Sequence, residues 1–264
     1  MTASSLDATA RVSFGDGVFL VDKPAGKTSF AIVRKIRWLL TIKKVGHAGT
    51  LDPFATGLLI VCVGRAATRR VELFMAGRKT YTARLQLGVE TETQDPEGRV
   101  TATTEVPDLT PIAIDRVLSQ HLGPQLQAPP PYSAAKHKGK PLYAYARQGV
   151  HVHKEPKPIE IFTLIRKDYD PVAQQLDIEV TCSRGTYIRV LAADIGTALG
   201  CGAHLIALRR TASGSFSVAD ALAGELLFAE NGLVQLQHGR MDIADAVRRA
   251  QDENEISRWG FGSD

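Results

Sequence analysis

Residues 58–63 read Leu-Leu-Ile-Val-Cys-Val, an unbroken apolar run closed by Gly57 and Gly64. A run this short, bounded by glycines, predicts a strand buried in the core of a covered sheet. The turn that feeds it, Gly49-Thr50-Leu51-Asp52-Pro53, places a carboxylate at the edge of that strand. Pro53 fixes its own φ and biases Asp52 away from the helical region. Gly46, Gly49 and Gly57 allow tight turns and close approach of another backbone. A carboxylate on so stiff a loop suits a nucleophile or a general base. An ordinary Asp-Pro turn that only shapes its loop would carry the same residues.

The rest of the chain alternates short strands and helices. Val18–Asp22 reads as a strand, and Thr28 caps a helix whose Ile32, Val33, Ile36, Leu39 and Leu40 share one face. A helix is expected over 66–76. Tyr81, Ala83, Leu85 and Leu87 then alternate with Thr82, Arg84 and Gln86, which predicts a half-buried strand. Gly98–Thr104 is expected to return as its partner across the polar Glu90–Glu97 loop. A helix near 113–122 precedes Ala128-Pro129-Pro130-Pro131, which opens an irregular basic segment. Strands near 159–165 and 175–183, a helix at 187–199 and a last strand over Arg209–Val218 follow. Strands outnumber helices and short turns join most of them, so the expected class is α+β with a mixed, largely antiparallel sheet. The reading divides the chain into a mobile tail over 1–17, a catalytic domain over 18–219 and a short acidic helical extension over 220–264.

Charge is uneven along the chain. Residues 220–264 hold nine acids against four arginines, a net of −5, whereas the whole chain is +4, so residues 1–219 carry +9. A basic body suggests a polyanionic partner, although a soluble surface with uneven charge would look the same. No stretch approaches the 18 or so apolar residues of a membrane span. The N-terminus lacks an apolar export core, and Cys62, Cys182 and Cys201 are isolated, which fits a reducing cytoplasm without disulfides or a zinc site.

Several motif fragments lead nowhere. Gly26-Lys27-Thr28-Ser29 ends like a phosphate-binding loop, but Val21 stands where that loop needs its first glycine. Ser133-Ala134-Ala135-Lys136 matches an SxxK pattern whose companion motifs are absent. His151 and His153 lack a nearby carboxylate or cysteine to complete a metal set.

Three further segments give Asp52 a context. Residues 79–98 place Tyr81 at a strand start, and residues 182–210 place Tyr187 and Arg189 just past a glycine-bearing turn. Residues 128–149 interleave Lys136, Lys138, Lys140 and Arg147 with Tyr132, Tyr143 and Tyr145. Cations for phosphates and flat rings for unstacked bases are what a nucleic-acid contact needs; a solvated amphipathic surface has the same composition. An arginine on the apolar stretch around 189 requires an anion.

These segments, with Asp22-Lys23-Pro24-Ala25-Gly26-Lys27-Thr28-Ser29, resemble the bacterial tRNA pseudouridine synthase B (TruB) family in order from about Val18 to Phe216. The runs Gly46–Leu59 and Cys182–Gly196 carry most of the likeness. The resemblance implies a pseudouridine synthase fold with a thumb-like insertion at about 128–158. It implies isomerisation of uridine 55 in the tRNA T-loop by a cytoplasmic monomer, with no metal, cofactor, guide RNA or membrane. Asp52 would be the catalytic carboxylate, Tyr81 would stack on the base, and Arg189 would hold Asp52 ionised. Tyr187 and Leu208 would line the site, His47 would wedge into the T-loop, and Lys23 and Pro24 would support the Asp52 loop. Lys136, Lys138 and Lys140 would grip the T-arm. Two departures stand out. Thr91-Glu92-Thr93 replaces the family's Thr-Asp-Thr, so Glu92 and Asp95 are taken as loop or RNA-proximal residues. Only about 45 residues follow the last expected strand, acidic and helix-patterned, which suggests a variant without a full PUA domain.

Overall fold

The computed structural model describes residues 14–150 and 152–259, with side chains to residue 252. The expected tail up to residue 13, and His151, lie outside the described residues. In chain order the elements begin β1 (Gly17–Lys23), α1 (Ser29–Leu40), β2 (Val45–Ala48), β3 (Thr56–Val63), α2 (Gly64–Thr68), α3 (Val71–Ala76) and β4 (Lys79–Leu87). They continue with β5 (Val89–Thr91), β6 (Val100–Thr103), α4 (Pro111–Gln120), β7 (Gly123–Gln127), β8 (Lys136–His137), β9 (Lys140–Pro141) and α5 (Leu142–Ala146). The remainder is β10 (Lys157–Asp170), β11 (Gln175–Cys182), α6 (Ile188–Ala198), β12 (Ala203–Ser213), β13 (Phe216–Ser217), β14 (Leu222–Ala223), α7 (Gly232–His238), β15 (Arg240–Met241) and α8 (Ile243–Trp259).

One large sheet runs in the order β14-β1-β3-β12-β4-β11-β10-β7. Neighbours along it are antiparallel except β1 with β14 and β3 with β12. The class is α+β with a mixed, mostly antiparallel sheet, as the strand-rich pattern predicted. The apolar run of β3 is explained by cover on both faces. Leu58, Ile60 and Cys62 pack with Phe74 of α3 and Ala246 and Ala250 of α8. Leu59, Val61 and Val63 pack with Ile32, Val33 and Ile36 of α1. The strands β4, β11 and β12 instead bury one face, where Leu85, Ile178 and Leu205 meet Leu118 of α4 and Leu191 and Ile195 of α6. Their other face carries Arg84 paired with Asp177, which accounts for the alternation read in β4.

Four expectations shift. Val100–Thr103 pairs with β5 in a separate ribbon, not with β4. Both edges of β4 are already taken by β11 and β12, and Gly88, at φ 80°, turns the chain out of the sheet. The helix over 66–76 is two helices, parted at Arg69-Arg70, where Arg70 leaves helical geometry at φ −104° and ψ 8° and its N–H bonds three residues back to the Ala67 carbonyl. The last strand starts six residues earlier than read, at Ala203, and Gly214 at φ 60° folds Phe216–Ser217 back on it. The tail contributes strands as well as helices: β14 and β15 both pair with β1. Two further strands of the large sheet escaped the sequence reading. β2 has four residues including Gly46, and β7 opens with Gly123-Pro124, a pair tolerated there because β7 is an edge.

Candidate active site

The Asp52 loop is pinned from two sides before it feeds β3. Ser29, buried at the start of α1, donates to the Leu51 carbonyl at 3.1 Å and accepts from the Leu51 N–H at 2.9 Å. On the other side the Pro53 carbonyl accepts from Lys23 Nζ at 3.2 Å and from the Gly26 N–H at 2.9 Å. Lys23 is fully buried, and its ammonium also donates to the Pro24 and Lys27 carbonyls. Burial pushes its pKa down to about 8, against the pull of the Asp52 charge. Ser29→Ala would leave both polar groups of Leu51 unpaired at a buried site. We expect a loss of about 1–3 kcal/mol of stability, read as a lower denaturant midpoint at unchanged slope.

Arg189, at the start of α6, reaches this loop across 137 residues of sequence. Its Nε donates to Asp52 Oδ2 at 2.9 Å, its Nη1 to the Thr93 carbonyl at 2.7 Å, and its Nη2 to the Tyr132 carbonyl at 2.8 Å. Asp95 Oδ2 lies 3.4 Å from Nη1. The arginine is 3% exposed, so these acceptors stand in for water. The Asp52 side chain is 35% exposed and faces a cleft of about 540 Å³. Burial raises the Asp52 carboxyl above the ordinary carboxylate range; Arg189 pulls it down, and the Asp95 charge pushes it up. Arg189 therefore opposes protonation, as its pairing implied, but desolvation by the surrounding protein outweighs it.

Tyr81, Tyr187, Leu208 and Arg189 line the same cleft as Asp52. Tyr81 is 8% exposed on β4, and burial raises its phenol while the charge of Arg210 lowers it. Tyr187 is the residue before α6, its backbone N–H donating to Gln127 Oε1 at 2.7 Å and its carbonyl accepting from Gln127 Nε2 at 3.1 Å. Pro129, Ser133 and Lys157, from the two ends of the 128–158 segment, also line the cleft. The other expected site residues stand outside the lining. His47 lies half-buried on β2, where burial and then Arg210 lower its pKa, so its ring is neutral at pH 7. Lys23 and Pro24 sit beneath the loop. Lys136, Lys138 and Lys140 are exposed on the β8–β9 hairpin, whose Lys138-Gly139 turn has φ of 46° and 82°.

Arg210 was not anticipated, and neither was the pairing of Asp95 with Arg189. Arg210 is 2% exposed, donates to the Leu58 carbonyl at 2.8 Å and the Gly49 carbonyl at 3.1 Å, and forms part of the cleft wall. The sequence held a signal for it: Leu208 and Arg210 are two apart on one strand, so they share a face. Arg209 between them points elsewhere and pairs bidentately with Asp22 at 2.9 and 2.6 Å. Asp95 is 4% exposed on the loop between β5 and β6, one of the two placements expected for it, and there it faces Arg189 Nη1. Glu92 is on the same turn, where its Oε1 accepts from the Tyr132 hydroxyl at 2.8 Å. Among the described residues no cluster of three metal-ligating side chains occurs, and no helix is long and apolar enough to cross a membrane.

The mixed, mostly antiparallel sheet flanked by helices is a pseudouridine synthase fold. The chain superposes on a chain of the crystal structure of a Cbf5-Nop10-Gar1 complex with a TM-score of 0.65 and 27% identity, over 89% of this chain and 61% of that one. It thus spans less than two thirds of that solved chain. The TruB family pseudouridylate synthase N-terminal domain matches residues 37–188, and the tRNA pseudouridylate synthase B C-terminal domain matches residues 189–235. A tRNA pseudouridine synthase B from Desulfotalea psychrophila is 54% identical over 221 residues, 83% of this chain and 90% of that protein. Another from Syntrophotalea carbinolica is 44% identical over 254 residues, 94% of this chain and 81% of that protein. The chain belongs to the TruB family of pseudouridylate synthases, isomerases that convert uridine to pseudouridine.

Proposed function

We propose that this tRNA pseudouridine synthase acts on uridine 55 of the T-loop, with the base extruded into the cleft and Asp52 as the catalytic carboxylate. The observation that carries the reading is the Asp52–Arg189 pair, set at 2.9 Å on a doubly pinned loop and open to a cleft of about 540 Å³. Asp52 acts on the flipped nucleotide so that the C1′–N1 bond breaks. The uracil turns, C5 bonds to C1′, the C5 proton leaves to solvent, and N1 takes up a proton in its place. Every atom but that exchanged proton stays in the product, so the reaction is redox-neutral and the proposal includes no cofactor.

Tyr81 stacks on the base, and Tyr187 and Leu208 wall the pocket. Arg189 positions Asp52, while Lys23 and Pro24 support its loop. His47, neutral and beside the loop, enters the T-loop and keeps the base out of its stack. The thumb lysines engage phosphates of the T-arm. In this reading the protein is a cytoplasmic monomer that needs no guide RNA. Its test is tritium release from a T-arm minihelix carrying C5-tritiated uridine, with the pure protein and nothing else. Failure of the wild-type protein to release tritium, or equal release when the label sits at another uridine, overturns the proposal.

Replacing Lys136, Lys138 and Lys140 together with glutamine tests the thumb. We expect weaker minihelix binding and a log Kd against log salt slope flatter by roughly two to three, since each duplex phosphate contact contributes about 0.9. The rate at saturating RNA changes much less. An unchanged salt slope places the RNA elsewhere.

A further inference from the structure

Arg189 is gripped from two sides, and the two grips are tied to each other. One side is the turn that carries Thr93 and Asp95, which meet Nη1. The other is the root of the thumb, where the Tyr132 carbonyl accepts from Nη2 at 2.8 Å. The Tyr132 hydroxyl then crosses back to that turn and donates to Glu92 Oε1 at 2.8 Å. Glu92 is itself braced by Arg99 Nε at 3.1 Å and is 28% exposed.

A guanidinium is a rigid planar fork, so moving the acceptor of one arm tilts the plane and redirects the others. Here one arm is Nε on Asp52. The thumb hairpin beyond Tyr132 carries the exposed lysines, so a pull from bound RNA arrives at the Tyr132 carbonyl. The phenol–carboxylate bond is what holds that carbonyl in register with the turn. We propose that Tyr132 and Glu92 are positioning residues that lock the thumb root to the Asp52–Arg189 pair and so set the alignment of the catalytic carboxylate. The inference rests on Asp52 being that carboxylate.

The experiment measures single-turnover tritium release at saturating minihelix, with Kd and melting temperature for each variant. Tyr132→Phe keeps the ring for any stacking and removes only the hydroxyl. We expect it, and Glu92→Ala, to slow the bound-state rate about tenfold with Kd within about twofold of wild type, as loss of one charge-assisted hydrogen bond implies. Glu92→Gln, whose amide oxygen still accepts from the phenol, should recover most of the rate. The double variant Tyr132→Phe/Glu92→Ala should be no slower than the slower single variant.

Losses confined to Kd would make Tyr132 an RNA contact and overturn the proposal. So would single-variant losses that multiply in the double variant, rates that follow melting temperature across the series, or rates that stay at the wild-type level. Asp52→Asn run in parallel keeps the premise separate: activity in that variant would remove the catalytic reading itself, whatever the four variants show.

Discussion

Asp52→Asn protein binds a T-arm minihelix with wild-type affinity and releases no measurable tritium from C5-labelled uridine. The expected loss in rate is on the order of 10⁴-fold or more, the scale seen when an enzyme loses the group that attacks its substrate. Asparagine keeps the shape and an oxygen to accept from Arg189 Nε, and Asp95 still faces the guanidinium. The fold should therefore survive. Stability should even rise at neutral pH. Burial raises the Asp52 pKa in the folded state, so folding takes up a proton there. That contribution is fully present below the unfolded value of about 3.9 and is lost as pH rises through the folded pKa. Above it the ionised carboxylate is a net cost that asparagine removes, a trade of stability for activity common at active sites. Turnover by Asp52→Asn near the wild-type rate would remove the catalytic assignment.

Arg189→Gln has the opposite signature, with both stability and activity lost. The substitution leaves Asp52, buried Asp95 and the Thr93 and Tyr132 carbonyls without their shared donor. Breaking a buried pair from one side costs about 3–5 kcal/mol, measurable by denaturant unfolding. Arg189 is the strongest influence pulling the Asp52 pKa down, so in any folded variant that pKa climbs further. The acid limb of the single-turnover pH profile then moves to higher pH. Arg189→Lys restores charge but cannot span four acceptors, so its limb should lie between wild type and Arg189→Gln. An acid limb that stays in place in Arg189→Gln would mean that another group sets it.

Much of this site was legible because its parts carry local signatures. Pro53 and the flanking glycines mark a stiff loop, the alternation around Tyr81 marks a strand, and an arginine in an apolar helix start demands an anion. Sequence could name Asp52, Tyr81 and Arg189 as candidates, and it could pair the arginine with the aspartate through the family resemblance. The anchors are another matter. Ser29, Gln127 and Asp95 are ordinary polar residues whose importance comes from partners that are distant or folded back on them, and nothing local distinguishes them. Arg210 lay within reach of a period-two reading, but the tandem Arg209-Arg210 looked like surface charge until β12 was seen to turn one residue to each face. The strand partners failed for a similar reason: β4 alternates like any half-buried strand, and only the assembled sheet shows that β11 and β12 occupy both its edges.

Hydrophobic period, glycine and proline placement and charge are properties of neighbouring residues. From them the sequence alone determined the strand-rich α+β class, the buried strand beside Asp52 and the family likeness. The tertiary structure decided what depends on contacts across the chain. It closed the 137-residue gap between Arg189 and Asp52, buried Asp95 and Arg210 beside them, and tied Tyr132 to Glu92. It also set the sign of the Asp52 pKa shift, because desolvation depends on how much water the whole fold excludes and not on which charge the sequence pairs with the carboxylate.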